Sequence, residues 1–409
     1  MKLKNYSAAV ISLSILAFTA CSDNDDNLIQ QNEYAVPTTY TFERNSASTV
    51  SYSGQSERIF MLEEMGGVFK TAAANGTTLS TDLLTNMYSN TNSPFTGNGL
   101  NASGKQLKNK TAASYEYFTL NAGGGTSIEQ TQTREFFEST FSDGNLASQG
   151  NAAAAGAAGV YLDGSSKRLF AANGLEPQQV LLKGMMGASF LDQISNNYLS
   201  AKKLDEASNR ENNTKKIFEE AKNYTTMEHY WDEAYGYVYG GDSNSGENKT
   251  YKFWSSYINQ VNADQDFSTV KEKIEKAFIK GRAAIVGNDY ETRNAQITII
   301  KENLALVPAV RAVYYLQEGK SKLVTDKGAK AFHALSEAYG FIMCLRYTNN
   351  PATNAPYFTK DEVDAMLETL TSGENGLWDI DTLTPKLDAV SAKIATKFDF
   401  TVAQAATVN

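Results

Sequence analysis

Cysteine and histidine are nearly absent from this chain, with two of each in 409 residues. Cys21 and Cys344 are the only thiols, so a disulfide framework is excluded and the core must hold itself together by burial. Long apolar runs are as scarce. After "AAVISLSILAF" near the N-terminus, no window approaches the length that a spanning helix needs. Positive charge is also short: 37 Lys and Arg against 46 Asp and Glu give a formal net charge of −9. An acidic surface of this kind argues against nucleic acid or anionic lipid as a partner. The motifs of common hydrolases and nucleotide enzymes are missing too, among them H-E-x-x-H, G-x-S-x-G and Walker-type loops.

What is present begins with a leader. Lys2 and Lys4 precede the apolar run, and Thr19-Ala20 stand immediately before Cys21. That pattern predicts a secretory signal over residues 1–20, cut before a cysteine that is then lipidated. The alternative is a cleaved signal followed by an unmodified thiol. Loss of residues 1–20 removes Lys2 and Lys4 and no acid, which takes the formal charge from −9 to −11. "SDNDDN" follows, and residues 21–35 read as a solvated acidic tether. The acidic stretch resembles the export signal of surface lipoproteins in the Bacteroidota. The expected position is the outer membrane, exposed at the cell surface and held through the N-terminal lipid, with the periplasmic face as the alternative.

The body is expected to be mainly α. Residues 36–170 read as an irregular and partly helical N-terminal part. Within it, "YTFERNSASTVSYSG" suggests a β-hairpin, and "SERIFMLEEMGGVFKTAAA" places Ile59, Leu62, Met65 and Val68 near one helix face. Residues 92–128 look like loops around short helices, with "GGGT" at 123–126. "TREFFESTFSDG" predicts a short helix stopped at Gly144. "SQGNAAAAGAAGVYLDGSS" predicts a small-residue loop near the main internal boundary.

Farther on, the pattern is consistently helical. It runs through "PQQVLLKGMMGASFLDQISNNYL", through "FSTVKEKIEKAFIKGRAAIV" with a cap at Ser268 or Thr269, and through "YETRNAQITIIKENLALVPAVRAVYYLQEGKSKL", where Pro308 is expected to kink the helix. Thr225-x-x-Glu228, Thr359-x-x-Glu362 and Thr384-Pro385 mark three helix starts.

Both histidines lie in one repeated phrase. His-x-x-x-Glu-Ala-Tyr-Gly runs from His229 to Gly236 and again, 104 residues later, from His333 to Gly340. "LLKGMMGA" and "FIKGRAAI" repeat as well, with Lys183 46 residues before His229 and Lys280 53 before His333. Two anchors in the same order predict duplicated helical bundles, over residues 171–265 and 266–350, with C-terminal helices over 351–409.

On a helix, positions four apart stack one turn above the other, so His229, Glu233 and Gly236 share a stripe. His333, Glu337 and Gly340 do the same, and each glycine leaves room for another backbone. Asp232 adds a carboxylate where the second copy has Ser336. If the units pack about a pseudo-twofold axis, His229, Glu233, His333 and Glu337 meet, with Asp232 as an optional fifth member. Three uses compete for such a set. It could be a hydrogen-bonded knot between helices, a site for a transition metal such as iron or zinc, or an acid–base pair for hydrolysis. No nucleophile stands out, so no catalytic residue is assigned. Arg282 and Arg293 could hold an anion or a carboxylate, but surface arginines on helices usually do neither; the basic run "GKQLKNK" reads as a solvated face. The aromatic residues around Trp231 read as core rather than a sugar-stacking platform, and Cys344 as a buried small hydrophobe.

Several phrases together resemble a family of Bacteroidota lipoproteins known only as a domain of unknown function. They are "VPTTYTFERN", "YSGQSERIFMLEEM", "GVYLDGSSKRLF", "NGLEPQQVLLKGMMGA", "MEHYWDEAYGY", "KGRAAIVGNDYETRNAQI" and "HALSEAYGF". A more distant likeness is to the imelysin-like proteins, helical lipoproteins and periplasmic proteins linked to iron uptake and marked by Gly-x-His-x-x-Glu. That resemblance implies two related helical bundles, with His229 as the marked histidine and Glu233 or Asp232 as its acid. It further implies a non-enzymatic accessory role in iron, metal or haem acquisition beside an outer-membrane uptake receptor. The alternatives are a structural or partner-docking lipoprotein and an imelysin-like peptidase.

Overall fold

In a computed structural model, which describes residues 34–97, 99–119, 127–243 and 249–407, an irregular strap precedes the first helix. The signal, Cys21, nearly all of the tether and the "GGGT" stretch lie outside the described residues. The strap carries the expected hairpin in a minimal form, β1 (Glu43–Arg44) paired antiparallel with β2 (Ala47–Ser48). Its two turn residues, Asn45 and Ser46, both take positive φ, 52° and 62°, the mirror-image turn that matches strand twist.

Helix α1 (Ser53–Asn75) buries Ile59, Leu62 and Met65 of the expected face, but Val68 is only half-buried and Phe69 is buried in its place. Helix α2 (Thr81–Ser89) is capped by the Ser80 side chain. Helix α3 (Ile128–Ala147) does not stop at Gly144. A methyl group at Gly144 would run into Phe69 and Leu79, so the glycine serves close packing rather than termination. The expected small-residue loop contains a second hairpin, β3 (Gly159–Asp163) with β4 (Ser166–Phe170), which turns at Gly164.

Helix α4 (Pro177–Met185) continues into two π-helical segments, Met186–Leu191 and Ile194–Tyr198, and every residue of both is buried. Short helices α5 (Ala201–Leu204) and α6 (Asn209–Thr214) lead to α7 (Thr226–Tyr239), which opens with the expected Thr225–Glu228 capping box. Next come α8 (Trp254–Ala263), α9 (Val270–Gly287) and α10 (Tyr290–Thr325). Helix α10 has 36 residues, about 54 Å at 1.5 Å per residue, and holds Pro308 in its buried interior.

Helix α11 (Ala329–Cys344) carries the second phrase, and α12 (Lys360–Thr371) starts at the expected Thr359 capping box. Helix α13 (Ile380–Lys397) begins before Thr384-Pro385 and contains Pro385. Its buried stripe already includes Leu383, ahead of Leu387 and Ile394, and burying that leucine extends the helix back past the proline. Helix α14 (Val402–Ala405) ends the described chain.

The fold is mainly α, with two small two-stranded sheets. One apolar core runs from Ile59 in α1 to Ala405 in α14. Among the described residues, no helix is long and apolar enough to cross a membrane.

Candidate functional site

The two phrases sit on α7 and α11, as the sequence requires, but the expected shared site does not form. Among the described residues, no hydrogen bond or ion pair joins one phrase to the other. The π-helical segment Met186–Leu191 lies between the two helices. Gly187 abuts Cys344 of α11, and Phe190 stacks on Tyr237 of α7 with ring centroids 5.2 Å apart.

The Lys-Gly segments pair with the phrases crosswise. Lys183-Gly184 of α4 packs on α11, where a methyl at Gly340 would strike Lys183, and the Cys344 thiol donates to the Lys183 carbonyl at 3.1 Å. Lys280-Gly281 of α9 faces α7 instead. Gly281 leaves room for the Trp231 ring, whose Nε1 donates to the Phe278 carbonyl at 3.0 Å. Gly236 meets α1 and its approach, where a methyl would strike Tyr52. Each glycine of the stripe thus admits a neighbouring segment, though the partner differs between copies.

Around the first phrase, Asp232, Glu228 and Arg282 all have 0% exposure. Arg282 Nε donates to Asp232 Oδ1 at 2.9 Å and Nη2 donates to Thr49 Oγ1 at 3.1 Å. Nη1 lies 3.3 Å from Glu228 Oε1 but outside hydrogen-bond geometry. Asp232 also accepts from the Tyr40 hydroxyl at 2.7 Å and from the Ser51 amide at 3.1 Å. Arg44 in β1 completes the group, with Nη2 2.8 Å from Glu228 Oε1. Two carboxylates therefore face two guanidinium groups, and the strap is bolted to α7 and α9. Burial pushes the Glu228 carboxyl up, but Arg282 and Arg44 outweigh it and hold it below the ordinary glutamate range.

His229 takes no part in that cluster. Its ring stacks on Tyr224 at 4.8 Å, and its buried Nδ1 has no hydrogen-bond partner. Glu233 turns to α1, where Oε1 accepts from Gln55 Nε2 at 2.8 Å.

The second phrase lies in a ladder of alternating basic and acidic side chains. His333 Nδ1 is 2.6 Å from Glu176 Oε2, which places a proton on Nδ1 because the carboxylate only accepts. Arg168 Nη1, 3.0 Å from the same nitrogen, then acts as a neighbouring charge and pairs with Glu176 Oε1 at 3.4 Å and with Asp163. On the other side, His333 Nε2 is 3.7 Å from Glu337 Oε2, and Lys183 Nζ is 3.0 Å from Glu337 Oε1. Ser336, which stands where the first copy has Asp232, accepts the Glu176 amide at 2.8 Å. Burial pushes the Glu337 carboxyl up, yet Lys183, His333 and a hydrogen bond from Tyr315 outweigh it and hold it below the ordinary range.

Arg282 and Arg293 are not surface arginines but fully buried, and each holds a carboxylate, the alternative the sequence left open: Arg282 pairs with Asp232, and Arg293 forks onto Asp205 at 2.7 and 3.0 Å. The basic run departs from expectation too: Lys110 is partly buried against Tyr198, and burial lowers its pKa to about 8. Sequence reasoning also missed Glu176, Lys183 and Glu228 as partners. Only Glu228 left a usable trace, through its capping box.

As ligands for iron or zinc, the predicted residues fit poorly. Among the described residues, no three His, Cys, Asp or Glu side chains group as a metal site. Asp232 and Glu337 already face Arg282 and Lys183.

Residues 37–401 match the model of one sequence family, a domain of unknown function (DUF4856). Neither a curated protein nor a solved structure matches the chain.

Proposed function

The chain belongs to the DUF4856 family, and from that premise we propose a lipid-tethered, surface-exposed, non-enzymatic binding or docking protein whose two His/Glu phrases brace the fold. The leader and Cys21 support the tether. The bracing role rests on one observation: each phrase carboxylate that is deeply buried is matched by a cation from a different helix, Arg282 for Asp232 and Lys183 for Glu337. Buried charges persist only when paired in this way. A metal-acquisition role, as the imelysin-like resemblance implies, would require these carboxylates to leave their cations. The geometry favours bracing over ligation.

Metal analysis and thermal melting of untagged protein test this reading. The expected result is no stoichiometric iron or zinc, together with a lower melting temperature for His333→Ala. One equivalent of metal in the parent, lost in both His229→Ala and His333→Ala, would overturn it.

A further inference from the structure

Beside the first phrase, and using none of its charged residues, a cavity of about 340 Å³ opens between the strap, α7, α8 and α9. Its size falls in the range of about 300–1,000 Å³ typical of small-ligand pockets. Tyrosine dominates the lining: Tyr40, Tyr52, Tyr235, Tyr239 and Tyr251. Tyr235 stacks on Tyr40 with centroids 3.6 Å apart, and Tyr239 lies tilted against it at 4.9 Å. The Tyr40 hydroxyl is engaged by Asp232. Among the described residues, the other four hydroxyls have no hydrogen-bond partner, and that of Tyr239 is buried. A buried phenol normally finds a partner.

Four ionisable side chains share the lining, Asp242 and Glu275 against Lys249 and Lys271. Asp242 Oδ1 accepts from Ser255 and from the Lys252 amide, which leaves Oδ2 free among the described residues. Among the described residues, Glu275 has only Lys271, at 3.9 Å, as an ion-pair partner. Burial raises the pKa of both acids. The charges cancel, so an organic cation meets two ammonium groups and an anion meets two carboxylates. Unused hydroxyls and carboxylate oxygens disfavour a purely apolar guest. Flat rings combined with convergent donors and acceptors suit a neutral ligand with an apolar face and a rim of hydroxyls.

The geometry points to a binding site for a neutral saccharide of one or two pyranose rings, held by the tyrosine rings and by Asp242 and Glu275. This deepens the binding role proposed above and rests on it only in expecting no turnover. The test titrates the full-length chain in detergent with cellobiose, maltose, lactose and mannobiose, and with spermidine and digalacturonate as charged comparators. Heat and tyrosine fluorescence report binding, and chromatography of the sugars reports cleavage.

At least one neutral disaccharide is expected to bind more tightly than either charged probe. Tyr251→Ala, at an exposed ring, and Glu275→Gln should each weaken it at least about tenfold through loss of a ring contact or a polar partner. Tyr239→Phe removes one hydroxyl without disturbing packing and should weaken it less. The site assignment is overturned if no neutral disaccharide binds, if a charged probe binds best, or if affinity is unchanged in Tyr251→Ala and Glu275→Gln. Cleavage of a bound disaccharide would keep the site and sink the non-enzymatic reading instead.

Discussion

The inner ions of the cluster around Asp232 are sealed, whereas the cluster around His333 reaches the surface at its histidine. Asp232, Glu228 and Arg282 have no exposed surface, while the His333 side chain is 22% exposed. The sealed copy uses its carboxylates and ignores its histidine; the open copy threads its histidine between two carboxylates. Identical residues at identical spacing have thus been given different work by what packs on them. The cluster around Asp232 draws its cations from α9 and the strap, Arg282 and Arg44, and the one around His333 from α4 and the second hairpin, Lys183 and Arg168. A repeated motif fixes which side chains share a stripe, but the partner element decides what the stripe does.

Arg282→Met should widen that contrast most. It leaves Asp232 and Glu228 buried without their shared cation, a loss of about 3–5 kcal/mol in urea unfolding. Lys183→Met in the open copy strands one carboxylate with His333 still beside it, and about 2–3 kcal/mol is expected. Equal losses would break the distinction between sealed and open clusters.

The histidines invert the order. His333→Ala should cost about 1–3 kcal/mol, since Glu176 loses a charge-assisted partner. His229→Ala removes a ring stack and a nitrogen that had no partner, so about 1 kcal/mol or less is expected.

The smallest effect is one that the two copies share. Glu337 and Glu228 both titrate below the ordinary glutamate value of 4.5 in the folded state. Each therefore contributes stability above about pH 4.5 that is lost as pH falls through its folded pKa. Urea midpoints between about pH 6 and pH 3 should show a flatter acid limb in Glu337→Gln and in Glu228→Gln than in the parent. A flatter limb in only one of them would show that the copies differ in acid sensitivity as well as in exposure.

The helices were legible because their signals are local. The Thr225 and Thr359 capping boxes stand where the sequence places them, and the buried face of α1 follows its apolar spacing. The hairpin at Asp163-Gly164 was hidden by the alanine run before it, although alternating Val160 and Leu162 ahead of Asp-Gly carried the strand signal. Gly144 misled because a glycine that admits Phe69 is indistinguishable, in sequence, from one that ends a helix. The candidate site was half legible. Spacing correctly put His, Glu and Gly on one stripe of each helix. It could not reveal that the Lys-Gly segments pair crosswise, because that is decided by tertiary packing over some fifty to a hundred and fifty residues.

The strap gives the protein a mechanical property. Tyr34 is held by its hydroxyl to Asp289, Tyr40 to Asp232 and Arg44 to Glu228. Tension entering the chain upstream of Tyr34 meets these attachments in succession before it reaches α1. They are spread over residues 34–44, so a tug must part several polar contacts before it reaches α1. A chain tethered as proposed above can be strained at its mooring while its core stays at rest.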